Sequence, residues 1–462
     1  MKLATEFIPL NDGTQICAPS NITLMTSYVL REQGDWFEDE IHFIRKFIKP
    51  GMVSLDIGAN YGLYATAIAK NMGPKGRLWC FEPTPNTAEA LRHTFKKNKY
   101  RGRVKVVEAG LSNKAGTATF FMSPNAELNT LEPGDESFMQ EQTIELLTLD
   151  DYARNAGFSK VDFVKLDAEG EEVRILEGGQ SFFSDFSPLV MFELMHVEQV
   201  NEALLTRFTE LGYAFYYLVP GLNTLAPYSI GMKVDRYLLN LFALKGDRLE
   251  ELRSAGFIVD PLVSDGSESV AERLGEGCPK NKVLALLPDG LKEPDSDSEL
   301  LHILRLLVCA RDSDLAKQER FEALSAAFSS VLTVSIESAG PELLATAARV
   351  AFDMGQRELG VRMLEAFVKS YIASGVLPNI DTVYYPADKA HDKKAQLILG
   401  DASASFCVMM IDTYIRKAHR SGYFAGQALA PCFAALRKLG WLSKEIEIRE
   451  RVSHARDAAM RA

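Results

Sequence analysis

The sequence predicts an α/β protein: a Rossmann-like, seven-stranded sheet with helices on both faces, followed by an all-α, solenoid-like region. Three observations carry this. Between residues 51 and 245, short apolar runs alternate with stretches of helical spacing. The first run ends in a glycine-rich turn, SLDIGANYG. From 299 to 462 the apolar spacing is helical nearly throughout. Strand–helix alternation implies a mainly parallel sheet, because each parallel crossover needs a helix to return the chain.

Residues 1–50 read as an N-terminal helical lead-in. Phe37, Ile41, Ile44 and Ile48 recur at helical spacing, and Pro50-Gly51 ends the stretch. This helix is expected to cover the first strand; the other reading makes it a lid with Trp36 facing a ligand. Five strands follow, at 52–57, 77–81, 104–107, 161–166 and 189–192, with helices at 63–70, 86–98, 171–183 and 198–211. Two more runs, 214–219 and 237–244, have no helix between them and can pair antiparallel at one edge. Between the third and fourth strands, ATFFM and TIELLTL alternate as a hairpin would, around the polar stretch SPNAELNTLEPGDES.

Residues 246–298 are rich in Gly, Pro, Ser and Asp and read as a linker with a short helix and a short strand at 282–287. Ser296-Asp297-Ser298-Glu299 is a capping-box pattern ahead of the helical region. Within 299–462, residues 341–371 read as two helices around Met354-Gly355-Gln356, as in one repeat of an α-solenoid.

A chain of 462 residues with 47% apolar residues can bury more than one core, and its 24% charged residues exclude wholesale disorder. The net charge of −11 withholds the positive field that draws proteins to nucleic acid. No apolar run approaches the length of a bilayer span, and the first residues have no apolar signal core. Six dispersed cysteines make no CxxC pair and read as reduced thiols. A cytoplasmic location is the expectation.

The turn after the first strand carries the chemistry. Gly58 and Gly62 let backbone approach a ligand closely. Asn60 stands where a dinucleotide fingerprint needs its second glycine, which argues against an NAD-dependent enzyme, and no phosphate-loop lysine is present. Asp56 would repel phosphate but suits an ammonium group. Glu82 ends the second strand, where a carboxylate can accept both ribose hydroxyls. An amino-acid end, a ribose and no phosphate describe S-adenosyl-L-methionine, whose sulfonium suits an acidic, aromatic crevice.

The blocks SLDIGANYG, CFEPTPN, VEAGLSNKAGTATFF, LTLDDYA, VDFVKLDAEGEEVRILEGG and MFELMH stand in this order. Together they resemble the FkbM family of class I methyltransferases over roughly residues 20–245, about half the chain; the helical half lies outside the resemblance. It implies transfer of a methyl group from S-adenosyl-L-methionine to oxygen, often a sugar hydroxyl of a glycan, glycolipid or natural product. Asp56, Gly58, Asn60 and Gly62 match the first cofactor motif. Glu82 is expected at the ribose, and Gly110 and Leu111 at the adenine.

Asp167 ends the fourth strand, where it could orient the acceptor, act as general base, or hold a divalent metal with Glu169. Glu171 and Glu172 are read as answering the dipole of the next helix. His196, after the fifth strand, is the other candidate base, with Glu193 holding its tautomer or touching substrate. The remaining histidines are read as structural. The helical half is expected to dimerise the enzyme, dock a biosynthetic partner or close over the substrate. The alternative reading keeps the methyltransferase-like domain as scaffold for an interaction protein.

Overall fold

The computed structural model describes residues 4–123, 140–196, 199–262, 292, 295, 298–392 and 401–461. The polar stretch inside the expected hairpin, the expected strand at 282–287 and Cys278 lie outside these. The chain begins with a hairpin, β1 (Thr5–Pro9) and β2 (Gln15–Pro19), then α1 (Met25–Gln33) and α2 (Glu40–Phe47). Sequence reading missed the hairpin. The expected lead-in helix is α2, with Ile41, Ile44 and Ile48 buried and Trp36 and Phe37 ahead of its first turn.

The alternating region then runs β3 (Val53–Ile57), α3 (Leu63–Asn71), β4 (Arg77–Phe81), α4 (Pro85–Lys97) and β5 (Val104–Val107). A side sheet follows, of β6 (Gly110–Leu111), β7 (Gly116–Met122) and β8 (Gln140–Leu147), with β7 and β8 antiparallel as the alternation predicts. The chain continues through α5 (Leu149–Ala156), β9 (Phe163–Leu166), α6 (Glu172–Glu177), α7 (Gln180–Phe186) and β10 (Leu189–Glu193). The short pair β11 (Met195–His196) and β12 (Gln199–Val200), α8 (Glu202–Glu210), β13 (Tyr213–Val219), β14 (Thr224–Tyr228), β15 (Asn240–Lys245) and α9 (Gly246–Ser254) complete it.

The main sheet has eight strands in the order β14-β13-β15-β10-β9-β3-β4-β5. The five from β5 to β10 are parallel; β15 inserts antiparallel between β10 and β13. The seven expected strands are present. The eighth, β14, takes the edge, so β13 and β15 pair antiparallel but not at the rim. Its sequence, TLAPY, contains a proline, which only an edge strand tolerates.

Strand alternation divides the core. Leu55, Ile57, Val164 and Leu166 bury one face of the sheet with Phe182, Phe192 and Phe208. The other face carries Phe163 and Phe242 against Phe43 and Phe47 of α2 and Ile68 of α3. Each such ring contributes about 1.5–3 kcal/mol through burial. Asp56 and Lys165 fall on this second face, in register on neighbouring strands. They are polar groups that a purely structural sheet would not bury.

The region expected as a linker opens with α9, whose Leu252 is buried against the sheet. Behind it, paired helices span Glu299–Arg311, Lys317–Val331, Pro341–Asp353, Arg357–Ser374, Ala402–Lys417, Ala430–Lys438 and Lys444–Arg461, among shorter turns. The first is capped by Ser298, whose side chain accepts from Leu301 N. The two helices predicted around Met354-Gly355-Gln356 are present. No described helix is long and apolar enough to cross a membrane.

The helical region docks onto α1 through a buried carboxylate. Glu32, 2% exposed, accepts from Gly422 N at 2.9 Å, Ser421 Oγ, and Arg449 Nη1 at 3.3 Å. A Cβ on Gly422 would lie 2.7 Å from Glu32 Oε1. Removing one partner of a buried ion pair costs about 3–5 kcal/mol. Glu32→Ala is therefore expected to lower the melting temperature by several degrees in thermal unfolding, and an unchanged transition would show that this contact does not hold the two parts together.

Candidate active site

The carboxyl ends of β3, β4, β9 and β10 open into a cavity of about 400 Å³. It lies where the order of the parallel strands diverges about β3, the place where α/β sheets bind ligands. Asp56, Gly58, Asn60, Glu82, Gly110, Leu111, Asp167, Glu169 and Glu193 all line it. Gly62 does not; it starts α3 with φ +90°, and a Cβ there would sit 2.4 Å from Leu91 Cδ1. His196 lies just past the tip of β10, its backbone paired with Gln199, and its side chain lies outside the described part of the molecule.

The turn is built for close approach. Gly58 N and Ala59 N donate to Phe81 O at 3.1 and 3.0 Å, tying β3 to β4. Gly58 has φ +77°, and a Cβ would fall 1.7 Å from Asp167 O, so only glycine fits. Asn60 takes φ +48°, a conformation asparagine tolerates better than most residues.

Both expected cofactor carboxylates are buried. Asp56 is 1% exposed, and neither carboxylate oxygen has a hydrogen-bond partner; Lys165 Nζ stands 3.8 Å away. Burial pushes its pKa up to about 6, against the pull of Lys165. Leaving such a group unsatisfied costs about 1–3 kcal/mol, which a cationic ligand would offset. Glu82 accepts from Asn60 N at 3.0 Å through one oxygen and from Thr84 N at 2.9 Å through the other. Each oxygen keeps a free lone pair. Burial raises this carboxyl to about 7.

Lys165, missed by sequence reading as a site residue, bridges the floor. Its Nζ donates to Asp167 at 2.9 Å and to Gly58 O at 3.3 Å. Burial opposes its charge, but Asp167 and Asp56 more than offset that and hold its pKa above the usual range. Asp167 does not cap the helix that follows: Glu171 stands at the N-cap position without a side-chain cap, and Glu172 accepts from Ala168 N and Gly170 N. Beside Asp167 stand Glu169, raised to about 10 by burial and by Asp167, and Glu193, raised to about 8 by the same two causes. Among the described residues, no group of three or more His, Cys, Asp or Glu is placed to hold a metal ion.

The far wall is apolar. Leu111, Phe120, Ile144 and Leu146 meet there, and a Cβ on Gly110 would strike Leu146 Cδ2 at 2.9 Å. Trp36 and Phe37 also line the cavity, so the segment ahead of α2 is part of the site as well as of the core. Glu38 accepts from Trp36 Nε1 at 2.9 Å, from Asn240 Nδ2 at 3.2 Å and from Tyr64 Oη. Arg420 and Phe424 reach the same cavity from the helical region. Only tertiary structure brings them there.

The model of the methyltransferase FkbM domain matches residues 56–215. Methyltransferase sdnD of Sordaria araneosa is 28% identical over 27% of this chain and 59% of its own length. Hexuronic acid methyltransferase AglP of Haloferax volcanii is 29% identical over 30% of this chain and 55% of its own. 2-O-methyltransferase NoeI of Sinorhizobium fredii is 25% identical over 42% and 81%. The chain thus spans little more than half the length of the first two, and the helical region is unassigned.

Proposed function

With residues 56–215 forming a methyltransferase FkbM domain, we propose that the chain methylates a hydroxyl of a sugar, using S-adenosyl-L-methionine. The observation that carries this is that Asp56 and Glu82 line one cavity, the first ion-paired with Lys165 at 3.8 Å but with no hydrogen bond on either oxygen, the second with a lone pair free on each. When bound, the cofactor supplies an electrophilic methyl group. Asp56 faces its ammonium end, Glu82 accepts from its ribose, and the Leu111–Phe120 wall takes its adenine. Trp36 and Phe37 exclude water above.

Asp167, held by Lys165, orients the acceptor hydroxyl and takes its proton; Glu193 and Glu169 surround that position. His196 is the second candidate for the proton. The names of AglP and NoeI, a hexuronic acid methyltransferase and a 2-O-methyltransferase, support a sugar hydroxyl as acceptor. The test is incubation with methyl-labelled S-adenosylmethionine and a panel of sugars, followed by mass analysis. Label on a sugar oxygen is the expected result; label on nitrogen or carbon, or no transfer to any member, would sink the reading.

A further inference from the structure

A second cavity, of about 770 Å³, lies between the sheet and the helical region. It adjoins the first across Phe37, Glu38, Leu239 and Arg420, which line both. Eleven basic side chains and seven carboxylates line it, an excess of positive charge in a chain of net charge −11.

The acids are largely committed. Asp353 and Asp392 pair with Arg349 and Arg311, and Asp388 faces Lys417 at 3.7 Å. Asp235 accepts backbone N–H bonds from Tyr237 and Glu358. Arg357 and Arg420 have no carboxylate at ion-pair distance among the described residues. Among the described residues, Arg357 donates to the carbonyls of Lys417 and His419, both at 3.0 Å. The two guanidinium groups stand 5.1 and 5.9 Å from the ring of Tyr237. Burial lowers both below the usual guanidinium range, and the carboxylates that act on them from beyond ion-pair distance, Asp39 and Asp235 for Arg357 and Glu38, Glu193 and Glu40 for Arg420, do not restore it. The paired cavities are therefore polarised, acidic at the sheet tips and basic under the helices.

We propose that this second cavity seats an anionic acceptor, a sugar bearing a phosphate or a carboxylate. Arg357 and Arg420, with the exposed Lys389 on the lining of the same cavity, hold the acid group while the sugar's hydroxyl reaches past Glu38 toward Asp167. That the bound sugar is then methylated rests on the proposed function; anion binding does not.

Calorimetry on the full chain at low salt separates the sources, with glucose 1-phosphate, glucuronic acid and neutral glucose as probes. At least one acidic sugar is expected to bind saturably, and more weakly as salt rises, while glucose does not bind. Arg357→Gln should weaken binding about tenfold or more, the effect of losing a charged hydrogen-bond donor. Because Arg357 also ties the turn after Lys417, Lys389→Gln, at an exposed position, is the second variant; it should weaken the acidic sugar and leave S-adenosylmethionine affinity unchanged. Equal binding of glucose, no binding of either acid, or unchanged affinity in both variants overturns the proposal. An acidic sugar that binds a chain unable to bind S-adenosylmethionine would overturn the methyltransferase reading alone.

Discussion

Glu82→Ala is expected to reduce S-adenosylmethionine affinity by about 100-fold or more, since two hydrogen bonds to a charged acceptor contribute about 1.5–3 kcal/mol each. Glu82 also holds the backbone N–H groups of Asn60 and Thr84. Glu82→Gln, which keeps one acceptor for that turn, separates a lost ligand contact from a collapsed turn. Asp56→Asn should act comparably, because the neutral amide no longer answers an ammonium. Calorimetry with a circular-dichroism check of folding reads both. Tight binding retained in Glu82→Ala and Asp56→Asn together would refute the cofactor assignment.

The same two groups set a pH dependence. Asp56 and Glu82, raised by burial to about 6 and about 7, hold protons that an exposed carboxylate would have lost. A cationic ligand favours their ionised forms, so its affinity should rise with pH through this range, with protons released on binding. The stability of the ligand-free chain should move the opposite way. A carboxyl whose folded pKa exceeds its unfolded value stabilises the fold below the unfolded pKa, and that contribution is lost as pH climbs through the folded one. Glu193, at about 8, and Glu169, at about 10, extend this window upward. Denaturant titrations across the range, with and without S-adenosylmethionine, would read both signs.

Short apolar runs alternating with helical stretches, and the glycine turn, made the sheet legible in the sequence, together with the two acids at its tips. The turn stands out because Gly58 must clear Asp167 O, a constraint no other residue type satisfies. β14 was hidden by its proline, and the first hairpin by its short strands. Lys165 lies inside a recognised block, yet its pairing with Asp56 depends on β9 lying beside β3, a matter of sheet order. Glu38 enters the site from the segment read as a core helix or a lid, where only Trp36 was singled out to face a ligand. Arg420 and Phe424 are delivered by the docking of Ser421 and Gly422 on Glu32, a long-range contact with no local signature.

Asp167→Asn should lower turnover by about 10²–10⁴-fold, the usual contribution of a positioned proton acceptor. Its effect on cofactor affinity should be small by comparison. The amide keeps the size of the side chain and can still accept from Lys165, so the floor of the cavity should survive; what is lost is basicity. Two carboxyls crowd this position, Glu169 and Glu193, and Asp167 raises the pKa of both. Neutralising it should therefore bring Glu193 back toward the ordinary carboxylate range and move the pH profile of the residual activity with it. His196→Ala decides between the two bases. If it alone abolishes turnover while Asp167→Asn does not, the proton goes to the histidine, and Asp167 is left to orient the hydroxyl.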